Sequence, residues 1–431
     1  MKRREFIAAG AALAATSLLP ETPAWARGRT LRLGLIGTGM RGQVLLKELV
    51  RRDDVEVVAL CDIEPIMLKR GMDMVAKAGR KAPTAYGQDG DRNAWKRLLE
   101  QRGLDGVIIA TPWEYHAPMA IAAMQARIAV GCEVVAGITL DDHWQVLRTQ
   151  LKTGTPYMLL ENVCYRRDVL AVLNMVRQGL FGEILHAEGG YLHDLRSIKF
   201  ADEGEGLWRR AWATKLNGNL YPTHGLGPIA NCLDINRGDR FDHLVSMSGP
   251  SRGLQDWAAS HYPEDHPKRK ERYVLGDMNT SIIKTANGKT ILVEHCTNLP
   301  RPYSRIHMVQ GTKGLFQGYP NRFYVEGRGK NDQWQEASAG LAEFEHPLWK
   351  EIAAQAQGAG HGGMDFIEDY RLVKCLREGT PTDMNVYDAA ALSAVVHLSV
   401  QSVGKKSAPI DFPDFTRGRW KTTAPLEIVH M

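Results

Sequence analysis

Leu31-Arg32-Leu33-Gly34-Leu35-Ile36-Gly37-Thr38-Gly39-Met40-Arg41-Gly42 decides the fold. Leu31 to Ile36 is a short apolar run, the signature of a buried strand, and a helical pattern follows to Val50. Between them lies a glycine turn of the form GxGxxG. Gly37 permits the tight turn, Gly39 lets a ligand approach the backbone, and Gly42 lets helix and strand pack closely. Val55 to Cys61 is a second apolar run and ends at Asp62, 20 residues past Gly42. Strand, glycine turn, helix, strand and terminal acid are the context a dinucleotide site requires. The helix N-terminus offers N–H groups and partial positive charge to a diphosphate. Asp62 is placed for the ribose hydroxyls and would repel a 2′-phosphate, so the expected cofactor is NAD.

Working outward, Gly106 to Ala110 predicts a third strand and Pro118 to Ala126 a helix. Ile128 to Cys132 predicts a fourth strand, Thr139 to Thr153 a helix with a Thr139/Asp142 capping box, and Tyr157 to Leu160 a fifth strand. This alternation means βαβ units and a parallel sheet. In such a sheet ligands lie beyond the carboxyl ends of the strands. Thr111-Pro112-Trp113-Glu114-Tyr115-His116 and Glu133-Val134 both fall on that edge.

The pattern changes near residue 160. Asp168 to Gln178 predicts a helix and His186 to Tyr191 a strand. Thr280 to Ala286 and Thr290 to Cys296 flank Asn287-Gly288, a strong hairpin signal. Ile306 to Gln310 and Gly314 to Gln317 suggest another hairpin. Two helices, Phe366 to Glu378 and Tyr387 to Val403, close the chain. The expectation is an α/β protein: an N-terminal Rossmann domain over 27–160, then an α+β domain over 161–431 with a largely antiparallel open sheet.

Composition agrees. The 431 residues are 44% hydrophobic and 24% charged, with a net charge of +5, which excludes wholesale disorder or a small disulfide scaffold. Basic residues do not cluster, so nucleic acid is not an expected partner. The six cysteines, Cys61, Cys132, Cys164, Cys232, Cys296 and Cys375, form no CxxC pair and read as buried thiols. His193-Asp194, His261, His266 and His361 are too scattered to suggest a metal site.

Lys2-Arg3-Arg4-Glu5-Phe6 leads an apolar run to Leu19 and a small-x-small site, Ala24-Trp25-Ala26. Residues 1–26 resemble a twin-arginine export signal. The run is too short to span a bilayer of ~30 Å comfortably, and no later stretch was expected to approach that length. The resemblance implies the twin-arginine export machinery as a partner, a periplasmic or secreted location, and no membrane attachment once the signal is cleaved. Such export carries proteins already folded around a cytoplasmic cofactor, which suits unpaired thiols. Homo-oligomerisation is left open.

The glycine turn, Thr111-Pro112 followed by His116, and Glu133 after the fourth strand together resemble the glucose–fructose oxidoreductase/inositol dehydrogenase superfamily. Sugar dehydrogenases of that superfamily usually carry Glu-Lys-Pro where this chain has Glu133-Val134-Val135, so their catalytic lysine is absent. Longer motifs resemble one branch, the NAD-dependent α-N-acetylgalactosaminidases. They are Met40-Arg41-Gly42-Gln43, Trp113-Glu114-Tyr115-His116, Glu161-Asn162-Val163-Cys164-Tyr165, Gly182-Glu183-Ile184-Leu185-His186, Tyr221-Pro222-Thr223-His224-Gly225-Leu226-Gly227-Pro228 and Asp234-Ile235-Asn236-Arg237-Gly238-Asp239-Arg240. The resemblance implies that Met40, Arg41, Asp62, Trp113, Glu114, Tyr115, His116, Glu133, Val134 and Asn162 contact NAD. It implies that Tyr191, Arg210, Tyr221 and Tyr303 contact a sugar, and that Tyr221 to His224 lies where nicotinamide and sugar meet.

The implied activity is hydrolysis of terminal N-acetylgalactosamine glycosides by a redox-neutral cycle. NAD takes a hydride from C3, the acidified C2 proton leaves, the C1 oxygen is eliminated, water adds, and the hydride returns. His224 is the choice for the C3 hydroxyl proton, because imidazole titrates near working pH. Tyr165 is the choice for the C2 proton or the leaving group, and Glu133 for an auxiliary acid or ribose contact. The alternatives are a net NAD-dependent sugar or cyclitol dehydrogenase of the same superfamily, and a non-catalytic NAD–sugar sensor.

Overall fold

A computed structural model describes residues 28–337, 341–426 and 428. The proposed signal, residues 1–26, lies outside the described residues. The first sheet has six strands: β1 (Leu31–Ile36), β2 (Val55–Cys61), β3 (Thr84–Tyr86), β4 (Gly106–Ile109), β5 (Ala129–Glu133) and β6 (Tyr157–Leu160). Their order is β3-β2-β1-β4-β5-β6, and every neighbouring pair is parallel. Strands β4, β5 and β6 are buried throughout, because helices cover both faces of such a sheet. The strand order reverses between β1 and β4, which opens a crevice at their carboxyl ends.

The structure adds to the sequence reading and corrects it. β3 adds a sixth strand; it has three residues and none is buried, so it leaves no apolar run to read. The helix after β4 spans Trp113–Gln125, with Pro118 inside rather than at its start. Proline lacks an N–H, so the Glu114 carbonyl loses its helical partner; Glu114 is exposed, where water can substitute. The Thr139/Asp142 capping box forms as expected, with the Asp142 N–H donating to Thr139 Oγ1 at 3.1 Å.

The second sheet has nine strands: β7 (Ile184–Leu192), β8 (Phe241–Ser248), β9 (Asn279–Thr285), β10 (Thr290–Cys296), β11 (Met308–Gly311), β12 (Gly314–Gln317), β13 (Arg322–Val325), β14 (Gln335–Glu336) and β15 (Ile410–Asp411). The order is β14-β13-β12-β11-β7-β10-β9-β8-β15. Only β7 and β10 pair in parallel; the other neighbours are antiparallel. The β9–β10 hairpin turns at Asn287-Gly288, where Gly288 takes φ +88°. Helices Arg167–Arg177, Thr223–Cys232 and Val386–Gly404 build the second domain's core with this sheet. Val386–Gly404 is long and apolar enough to cross a membrane, contrary to the sequence expectation. Its burial has another cause: it packs on β8 and on the helix Leu140–Thr153 of the first domain, joining the two units.

Candidate active site

A cleft of about 820 Å³ lies across the carboxyl edge of the first sheet and the near face of the second domain. Gly37 has φ +92°, and a Cβ there would lie 2.5 Å from the Ala110 carbonyl oxygen. A Cβ on Gly42 would lie 1.9 Å from the Gly37 oxygen. Gly42 therefore acts through close packing of helix and strand, and it does not itself line the cleft. Gly39 does line it, and a Cβ there would meet no described atom within 4 Å. The helix Met40–Leu49 starts beside it with no side-chain cap among the described residues. Its first N–H groups are thus available to a diphosphate. Asp62 faces the same turn, with Oδ2 accepting the Thr38 N–H at 2.7 Å and Oδ1 the Glu64 N–H at 2.9 Å. The glycine cradle, uncapped helix and carboxylate fit NAD.

Trp113, Glu114, Tyr115 and His116 line the next part of the cleft, followed by Glu133, Val134 and Asn162. His116 is buried between the Val135 and Thr111 carbonyls, each 2.7 Å from a ring nitrogen. Burial holds this imidazole below its ordinary pKa, the two carbonyls oppose that shift, and the ring fastens adjacent loops.

Arg41 reaches across to the second domain. Its guanidinium pairs with Glu133, with Asp365 Oδ1 at 2.7 Å and with Glu368 Oε2 at 3.0 Å. Asn162 Nδ2 donates to the same Asp365 oxygen at 2.7 Å. Burial raises the Glu133 and Glu368 carboxyls, and Arg41 opposes that rise. Asp365 is held well below the usual carboxylate range: burial opposes this, but His361, Arg41 and Asn162 outweigh it.

On the second domain's side of the cleft, His224 lies in the first turn of the helix Thr223–Cys232. The His224 Nδ1 lies 2.7 Å from Oε1 of Glu161, which is fully buried at the end of β6. Glycines bring these parts together. A Cβ on Gly225 would lie 2.3 Å from the Gly190 nitrogen, and one on Gly227 would lie 2.8 Å from Glu161 Cγ. The helix therefore rests directly on β7 and against Glu161. Tyr191, on β7, has its ring 5.4 Å from His224, 4.7 Å from Tyr221 and 6.1 Å from Tyr303. Its hydroxyl is 3.1 Å from Nδ1 of His193. All five side chains line the cleft.

Besides Gly42, four residues assigned to the site from the sequence lie outside the cleft: Tyr165, Arg210, Pro222 and Thr223. Tyr165 is fully buried and does not line the cleft. Its hydroxyl donates to Asp383 Oδ2 at 3.1 Å inside the core, so it has no access to a substrate proton. Arg210 turns away, pairing with Glu271 at 2.8 Å and donating to the Lys199 carbonyl at 3.0 Å. Arg209, its neighbour, faces the cleft, with its guanidinium 5.1 Å from the Trp113 ring and 5.0 Å from that of Tyr221. Pro222 and Thr223 cap and begin the helix, and neither lines the cleft. The sequence reading also gave no role to Glu161, Arg209, His193, Asp365 or Glu368. Only Glu161 carried a signal: it lies on the ligand-binding edge, directly after an apolar strand.

The fold and cleft define an NAD-binding enzyme of oxidoreductase architecture. Residues 31–158 match the oxidoreductase family, NAD-binding Rossmann fold, and residues 165–422 match the glycosyl hydrolase 109 C-terminal domain. A glycosyl hydrolase family 109 protein of Stenotrophomonas maltophilia (strain K279a) is 58% identical over 99% of this chain and 98% of its own. One from Shewanella pealeana (strain ATCC 700345 / ANG-SQ1) is 47% identical over 93% and 88%. The chain belongs to glycosyl hydrolase family 109. Among solved structures, an inositol dehydrogenase homolog from Azotobacter vinelandii, complexed with NADH and myo-inositol, matches with TM-score 0.64 and 18% identity. That match covers 90% of this chain and 99% of that one. Levoglucosan dehydrogenase, complexed with NADH and L-sorbose, matches with TM-score 0.66 and 21% identity, covering 90% and 100%. These likenesses concern the fold.

Proposed function

We propose that the protein hydrolyses terminal N-acetylgalactosamine glycosides by a redox-neutral, elimination–addition route. The observation that carries this is the pairing of two proton carriers, His224–Glu161 and Tyr191–His193, with His224, Tyr191 and His193 lining the same cleft as Gly37 and Gly39. Bound NAD would accept a hydride from C3 of the sugar and return it, leaving no net oxidation. The His224 Nδ1–H donates a hydrogen bond to Glu161, which fixes the tautomer and leaves Nε2 to take the C3 hydroxyl proton. Tyr191 replaces Tyr165 as the residue for the C2 proton. Burial raises the Tyr191 phenol and lowers the His193 imidazole, so the resting pair is neutral. The Tyr191 oxygen takes the C2 proton as its own passes to His193. Tyr221, Tyr303 and Arg209 offer aromatic faces and donors to the sugar. Val134, where a dehydrogenase would carry lysine, supports a cycle that keeps its cofactor.

The test is turnover of a nitrophenyl α-N-acetylgalactosaminide in D₂O without added NAD. The released sugar is expected to carry deuterium at C2, because that bond breaks and re-forms. Release of C2-protonated sugar would overturn the route, and stoichiometric NADH build-up would indicate a net dehydrogenase instead.

We propose also that the enzyme acts outside the cytoplasm, from the twin-arginine leader in the sequence. Replacing Arg3 and Arg4 with lysine should strand precursor inside the cell. Unchanged activity in the periplasmic fraction would refute this.

A further inference from the structure

Gly360-His361-Gly362-Gly363 lies at the cleft beside the glycine turn, and the activity proposed above does not use it. Its backbone is unusual. His361 takes φ +48°, ψ +40°, and Gly362 and Gly363 follow with φ +73° and +99°. A non-glycine residue in the left-handed region persists only where its surroundings impose it. Here they do. The Gly360 N–H donates to Glu48 Oε1 at 3.0 Å, and a Cβ on Gly360 would lie 3.3 Å from Val44. The segment thus rests on the same helix, Met40–Leu49, whose N-terminus opens the cofactor cradle. The His361 Nδ1 lies 2.5 Å from Asp365 Oδ2, and the other oxygen of Asp365 holds Arg41. Among the described residues, His361 Nε2 has no hydrogen-bond partner, and the ring is half-exposed in the cleft. The next helix, Met364–Glu378, begins without a side-chain cap among the described residues, and its first residue, Met364, also lines the cleft.

We propose that this second-domain strap binds the diphosphate of the dinucleotide from the side opposite Gly39, with the His361 imidazolium paired to a phosphate oxygen. The hydrogen bond to Asp365 raises the His361 pKa, which favours the charged ring. The diphosphate is then held between two domains, a reason for NAD to remain bound through a cycle that regenerates it.

The test is binding by the full-length protein, stripped of nucleotide, and it does not depend on glycosidase activity. His361→Asn suits it because asparagine tolerates the left-handed backbone while removing the cation. Dissociation constants are measured for NAD, for ADP-ribose, which keeps the diphosphate but lacks nicotinamide, and for adenosine, which lacks phosphate. We expect NAD and ADP-ribose to weaken by about tenfold or more, as for a lost charged hydrogen bond, with adenosine unchanged. Equal weakening of all three ligands would mean general loosening of the site and would overturn the proposal. So would NAD and ADP-ribose affinities within twofold of the unmodified protein. His361→Ala, with circular dichroism to confirm folding, repeats the measurement in a second background.

Discussion

His224→Ala should lose activity by about 10²–10⁴-fold while retaining NAD, as expected when a general base is removed. The loss should fall on kcat, because Tyr191, Tyr221, Tyr303 and Arg209 would still hold the sugar. Glu161→Gln provides the matched control. It keeps the size of the side chain beside Gly227 but removes the acceptor charge that fixes the His224 ring. Its turnover should fall in the same direction, and the double variant should be little worse than His224→Ala, since the two groups act as a unit. The measurements are steady-state kinetics and the absorbance of nucleotide released on denaturation. Near-normal kcat in His224→Ala would remove this residue from the chemistry. Loss of NAD along with activity would instead assign it to cofactor binding.

Arg41→Leu should cost about 3–5 kcal/mol of stability near pH 8, the range seen when one partner of a buried ion pair is deleted. Glu133, Asp365 and Glu368 would be left buried without their shared cation. The dependence on pH has a definite sign. Glu133 and Glu368 already have raised pKa values in the folded protein, and losing Arg41 raises them further. An acid whose folded value exceeds its unfolded value, about 4.3 for glutamate, destabilises progressively as pH climbs above the unfolded value. The deficit should therefore be smaller at pH 5 than at pH 8. Urea unfolding at both pH values and equal NAD concentration measures it. A deficit below 1 kcal/mol, or one that does not change with pH, would show that Arg41 is not the counter-charge for these acids.

Much of the first domain was legible because its strands are buried on both faces, and apolar runs mark them. β3 was too short to leave such a mark. β8 escaped for a different reason: Ser246 is buried there in hydrogen bonds with Asn279 and Ser281, so a core position reads as polar. The parallel pairing of β7 with β10 joins segments that lie about a hundred residues apart, and no local pattern encodes it. The cofactor half of the site follows from spacing along one βαβ unit, so the glycine turn and Asp62 could be read directly. The other half depends on which way a side chain points. Tyr165 and Tyr191 are the same residue type, but Tyr165 turns into the core toward Asp383 while Tyr191 faces His224. Arg209 and Arg210 differ by one position on a short helix, and only the fold distinguishes them. Glu161 lay inside a recognised motif, yet its contact with His224 spans 63 residues of sequence.

The contact of Gly189 and Gly190 with Gly225 has one more consequence. His224 and Tyr191 belong to different elements, and their separation is fixed where main chain meets main chain. A Cβ on Gly189 would lie 2.3 Å from the Gly225 oxygen, so even a methyl group would force the two elements apart. The gauge of the site is thus written in residues that carry no functional group. A search for substitutions that change which sugars are accepted should vary the tyrosines and leave these three positions alone.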